Sequence, residues 1–354
     1  MNASANLRRS YIRTSVLIPV PPAGDDSGDS SVKRRTLWPQ GVEGDNAQRQ
    51  QVVQTLDYRD YQARCVEQRD DSMPPPIKDY SLEDSTVEVE KSGSSRVRRM
   101  FTIFPYRDMS WVVTIMFVVG SSLFVAHAIM GLLPFINPAL TTAPIVQPAT
   151  ILAGSCIFVV GGLCGLFAAF NANRGTLETS EGKSLEGGPN VVYRPALIGS
   201  AAWIWIPSMG HICALLKVLP FKAGLVLQLG GTILSISAVT GMPGVLDPRN
   251  FFLTQMLTFL PQVIGGSMFF VANCTLMIFA QEVWYKPNFG SGEWQGACSN
   301  AIGSAGLALT GVLLLQGNFP GASVVAFPAA FALLTGSVIQ WYGLMEFHAT
   351  RWAS

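Results

Sequence analysis

The chain has 354 residues and a formal net charge of +1, and only 13% of it is Asp, Glu, Lys or Arg, against roughly 25% in a soluble domain. Of these charges, 32 fall in residues 1–109, split evenly by sign, and only 15 are scattered between the long apolar runs of residues 110–354. This distribution excludes a single soluble globule, and the near-zero balance excludes nucleic acid as a charge-driven partner.

Residues 1–109 read as a disordered, charge-rich tail. Stretches such as Pro19–Ser31 and Ser72–Pro76 bury too little apolar surface to offset chain entropy. A weak apolar stripe (Val52, Val53, Leu56, Tyr61) predicts at most a transient helix over Ala47–Arg69. The first twenty residues carry three arginines and no acid. Val16–Val20 is too short for a secretory core, and Pro19, Pro21 and Pro22 interrupt a presequence helix. Ser10 follows Arg8-Arg9 and Thr36 follows Arg34-Arg35, so the tail offers sites for basophilic kinases and for protein partners. Arg96, Arg98, Arg99 and Arg107 precede the first apolar run. They favour the cytoplasmic side and attract anionic lipid.

A helix needs about 20 apolar residues to cross roughly 30 Å of hydrocarbon. Six runs qualify: Trp111–Leu133, Ala149–Asn171, Ala223–Val245, Thr254–Ala280, Cys298–Gln316 and Val324–Met345. The predicted fold is an all-α membrane protein of six transmembrane helices, arranged as three hairpins over 110–172, 223–280 and 298–346. A linker over 173–222 and a loop over 281–297 join them, and residues 347–354 form a short C-terminus. A seventh run, Pro195–Leu216, is broken by Pro207 and Gly210 and has Trp203 and Trp205 at its centre. It reads as an interfacial or re-entrant helix, because tryptophan prefers the membrane boundary.

With both termini cytoplasmic, the inner flanks carry Arg96, Arg98, Arg99, Arg107, Arg174, Lys183, Arg194, Lys217, Lys222, Lys286 and Arg351, whereas the outer loops carry only Arg249. That is a strong positive-inside bias. The same topology puts Trp111, Trp203, Trp205, Trp284, Trp294, Trp341 and Trp352 near the inner face.

The spans also share a pattern. VVGSSLF (Val118–Phe124), QLGGTIL (Gln228–Leu234) and AIGSAGL (Ala301–Leu307) lie in odd spans, and Gly-Ser recurs in the even ones at Gly154-Ser155, Gly266-Ser267 and Gly336-Ser337. The glycines are spaced alike: Gly120 to Gly154, Gly230 to Gly266 and Gly303 to Gly336 differ by 34, 36 and 33 residues. This predicts a tandem repeat of one hairpin type, packed through small residues that let backbones approach. Gly161 and Gly165 extend one small-residue row; Asn300, Ser304 and Ala308 form another. A hairpin built from these Gly-Ser cores resembles the YrhK-like domain of small bacterial membrane proteins. The arrangement around Tyr285–Gly306 is similar to fungal integral membrane proteins. The resemblance implies a fold of packed hairpins and brings no activity, cofactor or catalytic residue. A YrhK-like unit is one hairpin where this chain has three, and Gln340-Trp341 stands where phenylalanine is expected.

No His-Glu-x-x-His, Gly-x-Ser-x-Gly or Walker motif occurs. Six cysteines without a Cys-x-x-Cys pair, and three histidines, predict neither a disulfide framework nor a metal site. The six runs hold no Asp, Glu, Lys or Arg, which argues against a proton-coupled or carboxylate-based transporter. Their polar groups are His127, Gln228, Gln255, Gln262, Asn273, Asn300 and Gln340, which read first as hydrogen-bonding links between helices. The expected function is therefore non-enzymatic, without cofactor: structural, accessory or sensory. One alternative is a transporter or channel for a small neutral solute, with His127, Gln262, Asn273 and Gln340 converging on a polar pocket. Another is a seven-span receptor-like protein, which requires Pro195–Leu216 to cross.

Overall fold

The computed structural model describes residues 93–172, 176–179, 191–194, 196–200, 203–247, 249–281 and 283–345. The tail expected over residues 1–92, its helix at 47–69 and its kinase sites lie outside the described residues, as does Trp352. The last part of the predicted tail is ordered: residues Gly93–Thr102 form helix α1. Its fold arises from contacts with a distant helix, described below, that composition does not reveal.

Among the described residues six helices are long and apolar enough to cross a membrane: α2 (Met109–Ile136), α3 (Val146–Phe170), α5 (Leu219–Thr240), α6 (Phe251–Phe279), α7 (Gly292–Leu315) and α8 (Phe319–Leu344). The short helix α4 spans Met209–Leu215. With 22–29 residues each, the long helices extend roughly 33–44 Å at 1.5 Å per residue. By contrast α4 has 7 residues and reaches about 10 Å. Among the described residues the helix expected over Pro195–Leu216 is confined to this piece, which is too short to make a seventh crossing. The linker also holds a two-stranded antiparallel ribbon, which hydropathy does not predict. In it β1 (Thr176–Thr179) pairs with β2 (Val191–Arg194), Thr176 opposite Arg194.

The bundle is a closed ring. Each long helix packs antiparallel on the next, and α8 returns to pack on α2. We call the end where α2, α5 and α7 begin the base, and the opposite end the apex. Trp111, Trp294 and Trp341 lie at the basal ends of α2, α7 and α8, and Trp203, Trp205 and Trp284 in the basal segments. The interior is filled rather than open at its aromatic centre. Phe158 of α3 stacks on Phe124 of α2 at 4.9 Å between centroids and approaches Phe269 of α6 at 6.3 Å. All three rings are at least 94% buried.

Local chemistry sets the helix ends. Asp108 caps α2 by accepting from the Ser110 N–H at 3.0 Å, satisfying one orphan donor of the first turn. At the apex, α7 turns into α8 within three residues. Gly317 adopts φ +74°, a conformation that favours glycine. The Asn318 N–H then donates to Leu313 O at 2.8 Å and the Gly317 N–H to Leu314 O at 3.0 Å, a Schellman ending. The Asn318 side chain in turn caps α8, accepting from the Gly321 N–H at 3.0 Å.

Helix α6 contains one π turn, Gln255–Phe259, just before Pro261. Proline has no N–H to give to Leu257 O four residues back. The Thr240 hydroxyl of α5 donates to that carbonyl at 2.7 Å, and the Thr258 hydroxyl donates to Thr240 Oγ1 at 3.0 Å. Such rescue of a proline-freed carbonyl by a neighbouring helix is what makes proline tolerable in a span. Thr240→Val is expected to cost about 1–2 kcal/mol of unfolding free energy in detergent. That cost should shrink in a Pro261→Ala background, where the alanine N–H serves Leu257. An equal cost in both backgrounds would show that the hydroxyl is not compensating for the proline.

Candidate functional site

The glycines gather at the helix crossings. In α2 and α3 a Cβ on Gly120 would sit 2.6 Å from the Phe158 ring, and one on Gly154 would sit 2.7 Å from the Phe124 ring. Each phenylalanine lies four residues after its own helix's glycine, one turn along the same face. Each helix thus covers its partner's glycine with its own ring. The same reciprocity recurs in α5 and α6, where Gly230 lies under Phe269 at 2.9 Å and Gly265 under Leu234 at 2.5 Å. In α7 and α8, Gly303 lies under Leu333 at 2.7 Å, and Gly296 under Gln340 Cγ at 3.1 Å.

The register differs in places from the one the spacing predicts. Gly265, not Gly266, stands opposite Gly230. Gly266 turns to α7, and a Cβ there would lie 2.7 Å from the Ala308 backbone nitrogen. Gly336 faces Asn300 rather than Gly303, which meets Ala329 and Leu333. One residue along a helix is a rotation of about 100°, so adjacent glycines serve different neighbours. Ser155, Ser304 and Ser337 are buried, whereas Ser267 is exposed on the outside of the bundle. Gly161 packs under Phe117 at 3.2 Å, while Gly165 meets only Val113 at 3.8 Å.

The four residues expected to form one polar pocket do not meet. His127 Nδ1 bonds Gln147 O at 3.0 Å, near the apical start of α3. Gln262 lies in the apical part of α6, its backbone against Gly311. Gln340 lies near the base, against Gly296. Only Asn273 lies deep in the interior, fully buried. Its Nδ2 donates to Phe269 O at 2.8 Å and to the Ser304 hydroxyl of α7 at 3.3 Å.

Asn273 belongs instead to a polar seam through the second half of the ring. Ser304 donates to Asn300 O at 2.6 Å. Asn300 is fully buried against Gly336, and neither of its amide atoms has a partner among the described residues. Ser337, beside Gly336, and Ser121 of α2 share a hydrogen bond at 3.2 Å. These groups are neutral, and they connect α6, α7, α8 and α2. Spacing alone reads Asn300 as a member of a small-residue row; its place between helices depends on the register.

At the base, the segment from Ala196 to Leu216 is held on the ends of α2 and α3. Ile198 N–H donates to Arg107 O at 2.9 Å, and Arg107 Nε donates back to Ile198 O at 3.2 Å. The Asn171 side chain treats Ile204 as a strand would: Nδ2 donates to Ile204 O and Oδ1 accepts from Ile204 N–H, both at 2.8 Å. Asn171 Nδ2 also donates to Phe167 O at 2.9 Å. His211 Nε2 meets Phe170 O at 3.1 Å. Trp205 packs edge-on to Phe167 at 5.7 Å. This clamp fixes the segment on the basal end of the first hairpin. The sequence signal was an asparagine closing an apolar run, where a helix leaves carbonyls unsatisfied.

Among the described residues no three His, Cys, Asp or Glu side chains come together. Comparison of the chain with family models, with curated proteins and with solved structures gave no match in any of the three. The functional reading therefore rests on the geometry of the bundle itself.

Proposed function

We propose that this multi-pass chain is a non-enzymatic membrane scaffold with a structural, accessory or sensory role. In this reading its three hairpins are tandem units of one YrhK-like type, and both termini are cytoplasmic. Residues 1–92 are then the contact for partners and kinases. The observation that carries the reading is the filled interior. Reciprocal glycine crossings pack the first two hairpins, α8 closes the ring on α2, and Phe124, Phe158 and Phe269 occupy its centre. The separation of His127, Gln262 and Gln340 favours this reading over a solute path lined by those residues. The basal cluster of Arg and Lys, with its tryptophans, supports a cytoplasmic base.

The test is a pair of compartment-sensitive reporters, one fused at the N-terminus and one after Ser354. Both reporters are expected to read cytosol. Opposite sides would overturn the six-span topology, and both on the far side would invert it. Deleting residues 1–90 in the same fusions should leave insertion unchanged while removing tail-dependent partners; lost insertion would recast the tail as a targeting element.

A further inference from the structure

We propose that α1 is an interfacial helix that binds the anionic headgroup layer of the bilayer. Its sequence, GSSRVRRMFT, carries three arginines and no acid. At 3.6 residues per turn, Val97, Met100 and Phe101 fall on one side, and Arg98 and Arg99 on the other. A basic, amphipathic helix of this kind lies in the membrane plane, its apolar side at the acyl boundary and its cations among headgroups.

The structure fixes α1 at that level. The helix packs on α8. Met100 is 5% exposed. The Phe101 ring meets Trp341 edge-on at 5.7 Å, and the Arg96 guanidinium lies 5.7 Å from the centroid of the Tyr342 ring. Trp341 and Tyr342 occupy the last turn of α8, the depth at which aromatic residues mark a membrane boundary. Only Ile103–Asp108 separates α1 from the first span, a reach of about 20 Å at most.

What this leaves uncovered identifies the occupant. Val97, Phe101, Phe104 and Tyr106 are 48%, 65%, 59% and 72% exposed. Four such side chains beside a span entrance form a surface suited to lipid. Arg98 is exposed on the opposite side. The helix itself carries no acid, and Asp108, after the short connection, is fully buried in the cap of α2. Attraction to anionic lipid amounts to about fivefold in affinity per basic residue near the surface.

This inference rests on the base lying at a bilayer edge, as the six spans require, and not on which side of the membrane it faces. The test is amide hydrogen exchange on the full chain in nanodiscs, which leave both faces open. Nanodiscs of phosphatidylcholine alone are compared with nanodiscs containing about one-third phosphatidylglycerol. Exchange over residues 96–103 should be at least tenfold slower with the anionic lipid. Arg98→Glu should reduce that difference by about fivefold or more, as should 1 M salt. Val97→Asp should speed exchange in both lipids. Unchanged exchange in α2–α8 reports that each variant is folded. Equal exchange in the two lipids would overturn the proposal. So would a lipid difference untouched by Arg98→Glu and salt, or protection that depends on the acid-bearing segment 79–90 instead of on lipid. None of these outcomes bears on the sidedness read by the terminal reporters.

Discussion

Gly266→Leu is expected to abolish most of the folded protein. A Cβ at that position would lie 2.7 Å from the Ala308 nitrogen and 3.0 Å from its Cα. The obstacle is backbone, which no rotamer change can move aside. The leucine must therefore push α6 away from α7, and that seam also carries the Asn273–Ser304 bond. Overpacking costs about 1–3 kcal/mol where side chains can yield; here about 3 kcal/mol or more is expected. Gly154→Leu should be less severe, because its nearest obstacle is the Phe124 side chain at 2.7 Å and the nearest backbone atom, Gly120 O, lies 3.3 Å away. Gly165→Ala should be nearly neutral, with only Val113 at 3.8 Å. Fluorescence-detected size exclusion and thermal unfolding of the three variants provide the ranking. Monodisperse, wild-type yield from Gly266→Leu would show that the α6–α7 contact is not as close as described.

Asn171→Ala should release the basal clamp while leaving the ring standing. The substitution removes three hydrogen bonds, two of them to the backbone of Ile204. A net hydrogen bond contributes about 1 kcal/mol, and a buried group left unsatisfied costs about 1–3 kcal/mol. Docking of residues 196–216 should therefore weaken by about 2–4 kcal/mol. Limited proteolysis near Lys217 and amide exchange at Ile204 are expected to accelerate, with little change in the unfolding of α2–α8. Asn171→Asp keeps the acceptor for the Ile204 N–H and loses the donor, so its effect should be intermediate. Unaltered protease resistance in the alanine variant would mean that Arg107 and His211 hold the segment without Asn171.

The six spans were legible because membrane crossing is a property of one segment: enough apolar residues in a row. Which glycine meets which helix is a property of pairs. The sequence shows Gly265 and Gly266 side by side, yet one serves α5 and the other α7. Ala329 fills a crossing that a search for glycines passes over. The proposed pocket failed for a related reason. Hydropathy sets His127, Gln262 and Gln340 within spans, but neither depth nor azimuth follows from it. Asn273 meets Ser304 only through the packing of α6 on α7. Helix α1 was hidden by its arginines, since its partners, Trp341 and Tyr342, lie some 240 residues away in the chain. The β1–β2 ribbon is four residues on each side, too short for its alternation to stand out.

Because the ring is closed by α8 lying against α2, its first and last helices are neighbours. The Ser121–Ser337 bond joins residues 216 positions apart. Synthesis at roughly 5–20 residues per second separates their emergence by about ten to forty seconds. For that interval the side of α2 that meets α8, with Ser121, waits for its final partner while its other side packs on α3. A ribosome that stalls before Phe319 leaves an open arc whose two edges, on α2 and α7, lack the helix that covers both. Closure of the ring therefore waits on α8.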